Sequence, residues 1–167
     1  MTTEKENHAT LNPNGTIEII EFFDYNCGHC KMESKVIEQL LGLRKDIKVV
    51  LKPIPILGQA SLYTTQIGHA ILLTEPEKYL KYFHTLMNDF GDSDNPILNA
   101  IKESGADLEK IKKALNEKST EIGKMIKEDI ELADKNGVEG TPAFIINGEL
   151  IPGAVQLEVL NKKAKNK

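Results

Sequence analysis

The chain has little of several things. Only two of its 167 residues are cysteine, which argues against a structural disulfide framework, because such frameworks use several cysteines at wide spacings. Aromatic residues make up 5%, and no basic stripe with interleaved aromatics is visible, so nucleic acid is not an expected partner. No apolar run approaches the ~20 residues of a membrane span. Met1-Thr2-Thr3-Glu4-Lys5-Glu6 carries no hydrophobic core of a secretory signal, so the chain is either cytosolic or a mature or trimmed form. No repeat of fixed period runs through it. His8, His69 and His84 show no metal-ligand spacing, and structural or surface roles are expected of them. What remains is 40% hydrophobic and 28% charged residues with a net charge of −4, enough for a core and a soluble surface in one domain or a domain with an insertion.

The two cysteines stand together, as Cys27-Gly28-His29-Cys30. They lie where a strand-like run, Ile17-Glu18-Ile19-Ile20-Glu21-Phe22-Phe23, gives way to a helix-like run starting near Lys31. At this spacing the two Cβ atoms can reach disulfide distance without distorting the chain. A helix N-terminus offers unpaired N–H groups and partial positive charge, which favour a thiolate at the first cysteine. A loop this short gains little stability from being closed. The pair is therefore read as chemistry and not as a staple.

Around it, residues 1–15 read as a loose entry segment ending in the turn cluster Asn12-Pro13-Asn14-Gly15. Asn14-Gly15-Thr16 also matches a glycosylation acceptor, and a turn before a strand explains it equally well. A first strand runs from Thr16 to Phe23, rich in β-branched and aromatic residues. In the helix that follows, Met32, Val36, Leu40 and Leu43 mark an apolar face, widened by Ile37 and Leu41. A second strand, Ile47 to Lys52, is stopped by Pro53 and Pro55. A β-α-β unit of this length implies parallel pairing.

Five helical segments are expected between residues 58 and 137. They run from Ser61 to Leu73, from Pro76 to about Phe90, after Asp94-Pro96, after a cap at Asp107, and through Ile122, Ile126, Ile130 and Ala133 to Asn136-Gly137. Residues 143–146 and 149–151 flank Asn147-Gly148, the strongest short signal for a tight hairpin. A short helix around Gln156–Leu160 closes the chain, and Lys162, Lys163, Lys165 and Lys167 read as a frayed, solvated tail. The fold class is α/β. A small mixed sheet of order β-α-β, then β-β-α, has residues 16–57 as its first half, 58–137 as a helical insertion and 138–167 as its second half, all in one compact unit.

At this point the motifs match a family. The segment from Glu21 through Tyr25 to Cys30 resembles the active-site segment of DsbA-like thiol-disulfide oxidoreductases, which have a thioredoxin fold. Gly137-Val138-Glu139-Gly140-Thr141-Pro142-Ala143-Phe144 resembles their second motif, where a cis-proline faces the disulfide, and Asn147-Gly148 through Pro152-Gly153-Ala154 resembles their closing hairpin. The resemblance implies Cys27 as nucleophile, Cys30 as resolving thiol, Pro142 as the cis-proline with Thr141 before it, and Glu21 as a buried acid beneath the disulfide. It also implies a bacterial periplasm or cell envelope. Gly28 and Thr141 depart from the best-known oxidase type, which has Pro and Val there, while His29 agrees with it. Pro55-Ile56-Leu57-Gly58 with Ser61 is similar to a divergent branch that includes oligomeric isomerases and copper-stress proteins. Oligomers are therefore allowed for, although an N-terminal oligomerisation segment is expected to be absent.

The expected activity is disulfide exchange with secreted or envelope proteins, as oxidase or isomerase. Its partners would be unfolded or misoxidised proteins and a membrane or soluble redox protein that resets the pair. No cofactor beyond the Cys27–Cys30 disulfide, and no metal, is expected. His29 is either an exposed histidine or a group that supports the Cys27 sulfur. Glu21 is either an edge-exposed acid or the proton acceptor for Cys30. Pro142 is either an ordinary turn proline or a cis residue that leaves the residue-141 backbone free to pair with substrate. The alternatives in function are a Cu(I)- or Zn-binding or metallochaperone module using the same thiols, and a cytosolic disulfide reductase.

Overall fold

The computed structural model describes residues 9–165. The first eight residues of the entry segment, His8 among them, and Lys167 lie outside the described residues. A five-stranded sheet has the order β1-β3-β2-β4-β5. β2 (Ile17–Phe23) is central, parallel to β3 (Ile47–Pro53) and antiparallel to β4 (Ala143–Ile146). β5 (Glu149–Pro152) forms one edge.

The other edge is β1 (Thr10–Leu11), antiparallel to Val50 and Val49. It lies within the stretch expected to be loose. Ala9 and Leu11 are buried, and the Ala9 carbonyl accepts the Leu51 N–H at 2.9 Å. Two residues are too few to show a strand's alternation, so only the tertiary pairing reveals this strand. Gly15 is forced by packing, because a Cβ there would lie 2.4 Å from the Ile47 carbonyl carbon.

β2 is apolar on both faces because both are covered. Ile17, Ile19 and Phe23 face α1 (Gly28–Leu43) in the main core, while Ile20 and Phe22 pack with Ala133 of α6 (Ser119–Lys135). Between β3 and α6 come α2 (Gln59–Thr74), a 3-10 turn (Pro76–Lys78), α3 (Tyr79–Met87), α4 (Pro96–Ser104) and α5 (Leu108–Glu117). The caps follow side-chain chemistry: Asp107 Oδ1 accepts from the Glu109 N–H at 2.9 Å, and Asn95, not Asp94, caps α4 by accepting from the Leu98 N–H. No helix among the described residues is long and apolar enough to cross a membrane.

Three expectations need correction. α1 begins at Gly28, not near Lys31, because Cys27 itself is the cap. Its buried face is Cys30, Glu33, Ser34, Ile37 and Leu40, whereas Met32 and Leu43 are 63% and 69% exposed. The helix is rotated so that Cys30 faces the core, which brings Glu33 inward with it. Lys162, Lys163 and Lys165 are exposed, but they are not part of a frayed tail. α7 (Leu157–Lys163) packs through Leu160, Ala164 is fully buried, and its carbonyl accepts from Arg44 at 2.9 Å. The carbonyls of Lys163 and Lys165 accept from Asn147 Nδ2 at the hairpin turn. That turn has φ +51° at Asn147 and +77° at Gly148, the paired positive values a two-residue hairpin requires.

Candidate active site

β2 delivers the chain to the core end of α1, and Asp24 fixes the approach. Its carboxylate accepts from the N–H groups of Asn26 (2.8 Å), Ile56 (3.0 Å) and Leu57 (3.1 Å) and from the Ser61 hydroxyl (2.6 Å). Its carbonyl accepts the Cys27 N–H at 3.1 Å. One buried side chain thus joins the loop before Cys27, the loop after β3 and the start of α2. Nothing local in the sequence marks Asp24, because three of the four partners of its carboxylate lie more than thirty residues away.

Both cysteines are in the dithiol form and buried. Cys27 Sγ accepts the Cys30 N–H at 3.2 Å, so the sulfur occupies the capping position at the helix N-terminus. There it meets an unpaired donor and the positive end of the helix. Its thiol also reaches the Thr141 carbonyl at 3.6 Å. Cys30 lies below it, fully buried. Burial pushes the Cys30 thiol well above its ordinary range and its hydrogen bond with Cys27 adds to this, while the Thr141 hydroxyl and the Asp24 backbone oppose it. The two sulfurs are therefore inequivalent, one at a helix end and one in the core.

Thr141–Pro142 is a cis peptide bond. It brings Thr141 against both sulfurs, by its carbonyl at Cys27 and its hydroxyl at Cys30. The Pro142 carbonyl accepts the Gly153 N–H at 2.8 Å, which ties this turn to the chain after β5. Beside it runs a cleft of about 580 Å³ lined by Glu139, Thr141, Leu150 and Pro152.

Glu21 is 2% exposed and is not an edge-exposed acid. It sits on central β2, in register with Leu51 and Phe144 and between Ile19 and Phe23, in the layer that holds Cys30. Burial pushes its carboxyl from 4.5 to about 8, and the charge of Glu33 adds to the rise. Glu33, one turn after Cys30, was missed at the sequence level. Its Oε2 accepts the Val155 N–H at 2.9 Å, which opposes the upward push of burial on its own carboxyl.

His29 is exposed on the first turn of α1. Among the described residues the hydrogen bond donated to the Cys27 sulfur comes from the Cys30 backbone, not from the imidazole. Lys31 turns the other way and donates to the carbonyls of Leu86 and Asp89, bolting α1 to the end of α3. Among the described residues no three His, Cys, Asp or Glu side chains gather as a metal site would require.

A family model described as thioredoxin matches residues 3–165. The chain belongs to the thioredoxin family. Within it the chain is DsbA-like. It is 34% identical to the thiol-disulfide exchange protein alpha-DsbA2 of Wolbachia pipientis, with a TM-score of 0.84 over 94% of this chain and 85% of that one. It is 27% identical over 146 residues to the thiol:disulfide interchange protein DsbA of Bordetella pertussis, covering 84% of this chain and 68% of that protein. It also matches the Na(+)/H(+) antiporter NhaA 3 of Salinispora tropica, at 23% identity over 147 residues, and spans only 22% of that protein's length.

Proposed function

We infer that this thioredoxin-family protein exchanges disulfides with unfolded or misoxidised proteins through Cys27 and Cys30. Its place of work would be the bacterial envelope, with a membrane or soluble redox partner resetting the pair. The observation that carries this reading is the capping position of Cys27. A sulfur that accepts a backbone N–H at a helix N-terminus is stabilised as the thiolate, which is the attacking and the leaving species in exchange.

In the oxidising direction a substrate thiolate attacks Cys27, the more accessible sulfur. The Cys27–Cys30 bond breaks, and its electron pair goes to the Cys30 sulfur, which takes up a proton. The substrate's second thiolate then attacks its own sulfur in the mixed disulfide, leaving oxidised substrate and the reduced pair. In the isomerising direction reduced Cys27 attacks a wrong disulfide and departs when the substrate rearranges. The Thr141 carbonyl beside Cys27, and the cleft next to it, are placed to pair with an extended substrate strand. His29 stands between the two cysteines on the first turn of α1, and replacing it with Ala should make the protein less oxidising.

The test is a trapping experiment. Cys30→Ser should accumulate a mixed disulfide at Cys27 with a misoxidised protein that carries a disulfide, and Cys27→Ser should not. Equal trapping by both variants would contradict the assigned roles. Tight Cu(I) or Zn binding by the reduced protein, lost in Cys30→Ser, together with no trapping, would favour the metal-binding alternative.

A further inference from the structure

Cys30 has to carry charge for exchange to run, and it does so in the core. Its sulfur is fully buried. Burial pushes its thiol upward, and the Thr141 hydroxyl and the Asp24 backbone oppose that push. The backbone group that can oppose it is the Asp24 N–H, because a hydrogen bond donated to a thiolate favours the charged form. The two sulfurs therefore draw on different supports. Cys27 is supported from within α1, by the Cys30 N–H at 3.2 Å, and that support travels with the helix. Cys30 is supported from outside α1, by the turn at Pro142 and by the residue that follows β2.

What places the Asp24 backbone is its own side chain. Asp24 is 1% exposed, and the four donors to its carboxylate are neutral. Oδ1 accepts from the Asn26 N–H and the Ser61 hydroxyl, and Oδ2 from the N–H groups of Ile56 and Leu57. Ser61 in turn accepts from Asn26 Nδ2 at 3.0 Å. The first turn of α2 makes a buried charge tolerable here. Its cap, Gly58, gives no side-chain hydrogen bond, and the Asp24 carboxylate meets the positive end of that helix instead. An amide cannot replace this carboxylate. In one orientation Asn turns its NH2 group toward the N–H groups of Ile56 and Leu57, and in the other toward the N–H of Asn26. Either way a backbone N–H loses its acceptor and the clamp opens on that side.

We propose that the Asp24 carboxylate is a positioning group for exchange: clamped by Ser61 and by the loop after β3, it holds the Asp24 N–H against the Cys30 sulfur while that sulfur carries charge. The proposal rests on the exchange function above. In opening, a thiolate attacks Cys27, a new S–S bond to Cys27 forms and the Cys27–Cys30 bond breaks. Its electron pair goes to Cys30, which then takes a proton from solvent. In release, Cys30 gives its proton to solvent and attacks Cys27. The Cys27–Cys30 bond forms, the mixed disulfide breaks, and its electron pair leaves on the departing sulfur. Both directions pass through charge on Cys30, and the N–H is aimed at that charge in advance. A donor that serves a charge present only in passage changes both rates and leaves the equilibrium between the end states alone.

The test compares Asp24→Asn with the wild type in stopped-flow exchange with glutathione at neutral pH. Opening of the Cys27–Cys30 disulfide, and release of glutathione from its mixed disulfide with Cys27, should each be about tenfold slower in the variant. The equilibrium constant with glutathione should stay within about twofold of the wild type. Alkylation of Cys27 in the reduced protein should also keep its rate, because the support for that sulfur lies within α1. Unchanged exchange rates overturn the proposal. So does an equal slowing of Cys27 alkylation, which would mean that the substitution loosens the whole site. So does an equilibrium constant shifted as far as the rates, which would put the effect in the resting states. If glutathione opens no disulfide in the wild type, the exchange function itself fails. Should Asp24→Asn not fold, Ser61→Ala decides. It removes one donor to Oδ1 and should slow opening and release about threefold, with Cys27 alkylation unchanged. Wild-type exchange rates in Ser61→Ala would then overturn the proposal.

Discussion

Replacing Glu21 with Gln should change how stability depends on pH, in a direction and by an amount the structure sets. The Glu21 carboxyl moves from 4.5 to about 8 on folding. Below pH 4.5 it is protonated in both folded and unfolded chains, and its contribution is complete. As pH rises further the unfolded chain releases the proton while the native protein keeps it, so stability declines. Above about pH 8 both states are ionised and the loss is complete. At 1.36 kcal/mol for each pH unit the full loss is about 5 kcal/mol, and between pH 5 and 7.5 it is about 3 kcal/mol. Gln resembles the neutral acid in shape and cannot ionise, so the variant should lack this decline. The assay is urea unfolding of the oxidised protein at half-unit pH steps. With a slope of about 2 kcal/mol per molar urea, the wild-type midpoint should drop about 1.5 M more than the variant's over that range. Parallel midpoints for the two proteins would refute the reasoning, because a carboxyl with an ordinary value contributes no such slope above pH 5.

Thr141→Val removes the hydroxyl that supports a Cys30 thiolate. At about 1 kcal/mol for one hydrogen bond, Cys30 should release a peptide from the Cys27 mixed disulfide about five-fold more slowly in stopped-flow measurements, and an unchanged rate would contradict that contact. Lys52 and Asp129 form a buried pair at 3.2 Å, and burial raises Asp129 to about 6 despite Lys52. Lys52→Ala should therefore cost about 3–5 kcal/mol in urea unfolding at pH 7, while a Lys52→Met, Asp129→Leu double variant should cost far less; equal losses would show that the charges are not what matters. Gly68→Ala places a Cβ 2.7 Å from the Tyr25 hydroxyl, so about 1–3 kcal/mol of stability should be lost. A neutral result would mean that the Tyr25 hydroxyl, which is hydrogen-bonded to the Tyr79 hydroxyl, can yield.

The parts of the fold that were legible in the sequence are those whose signals are local. The apolar run of β2, the Asn147-Gly148 turn and the Asp107 cap each declare themselves within a few residues. Cys27 and Cys30 were legible for the same reason, and Thr141–Pro142 through its resemblance to a second motif. What escaped depends on partners distant in the chain. Glu33 reads as an exposed helical acid until the helix is rotated by the burial of Cys30. The four bonds to the Asp24 carboxylate reach as far as Ser61. β1 exists only because β3 has an open edge, and the stretch from Lys162 to Lys165 is held because Arg44 and Asn147 bind its carbonyls. Gly68 gives no sign in sequence that it makes room for a tyrosine ring.

The central claim is that Cys27 and Cys30 form a redox couple used in exchange, and equilibration with defined glutathione mixtures tests it most directly. The account predicts a reversible two-electron equilibrium between dithiol and disulfide, abolished by either cysteine substitution. A potential near about −120 mV would mark an oxidase, and one near about −180 to −210 mV would call for a scrambled-substrate isomerase assay. A potential near about −270 mV would contradict the envelope placement and favour a reductase. Failure to form any Cys27–Cys30 disulfide across the glutathione range would contradict the account itself.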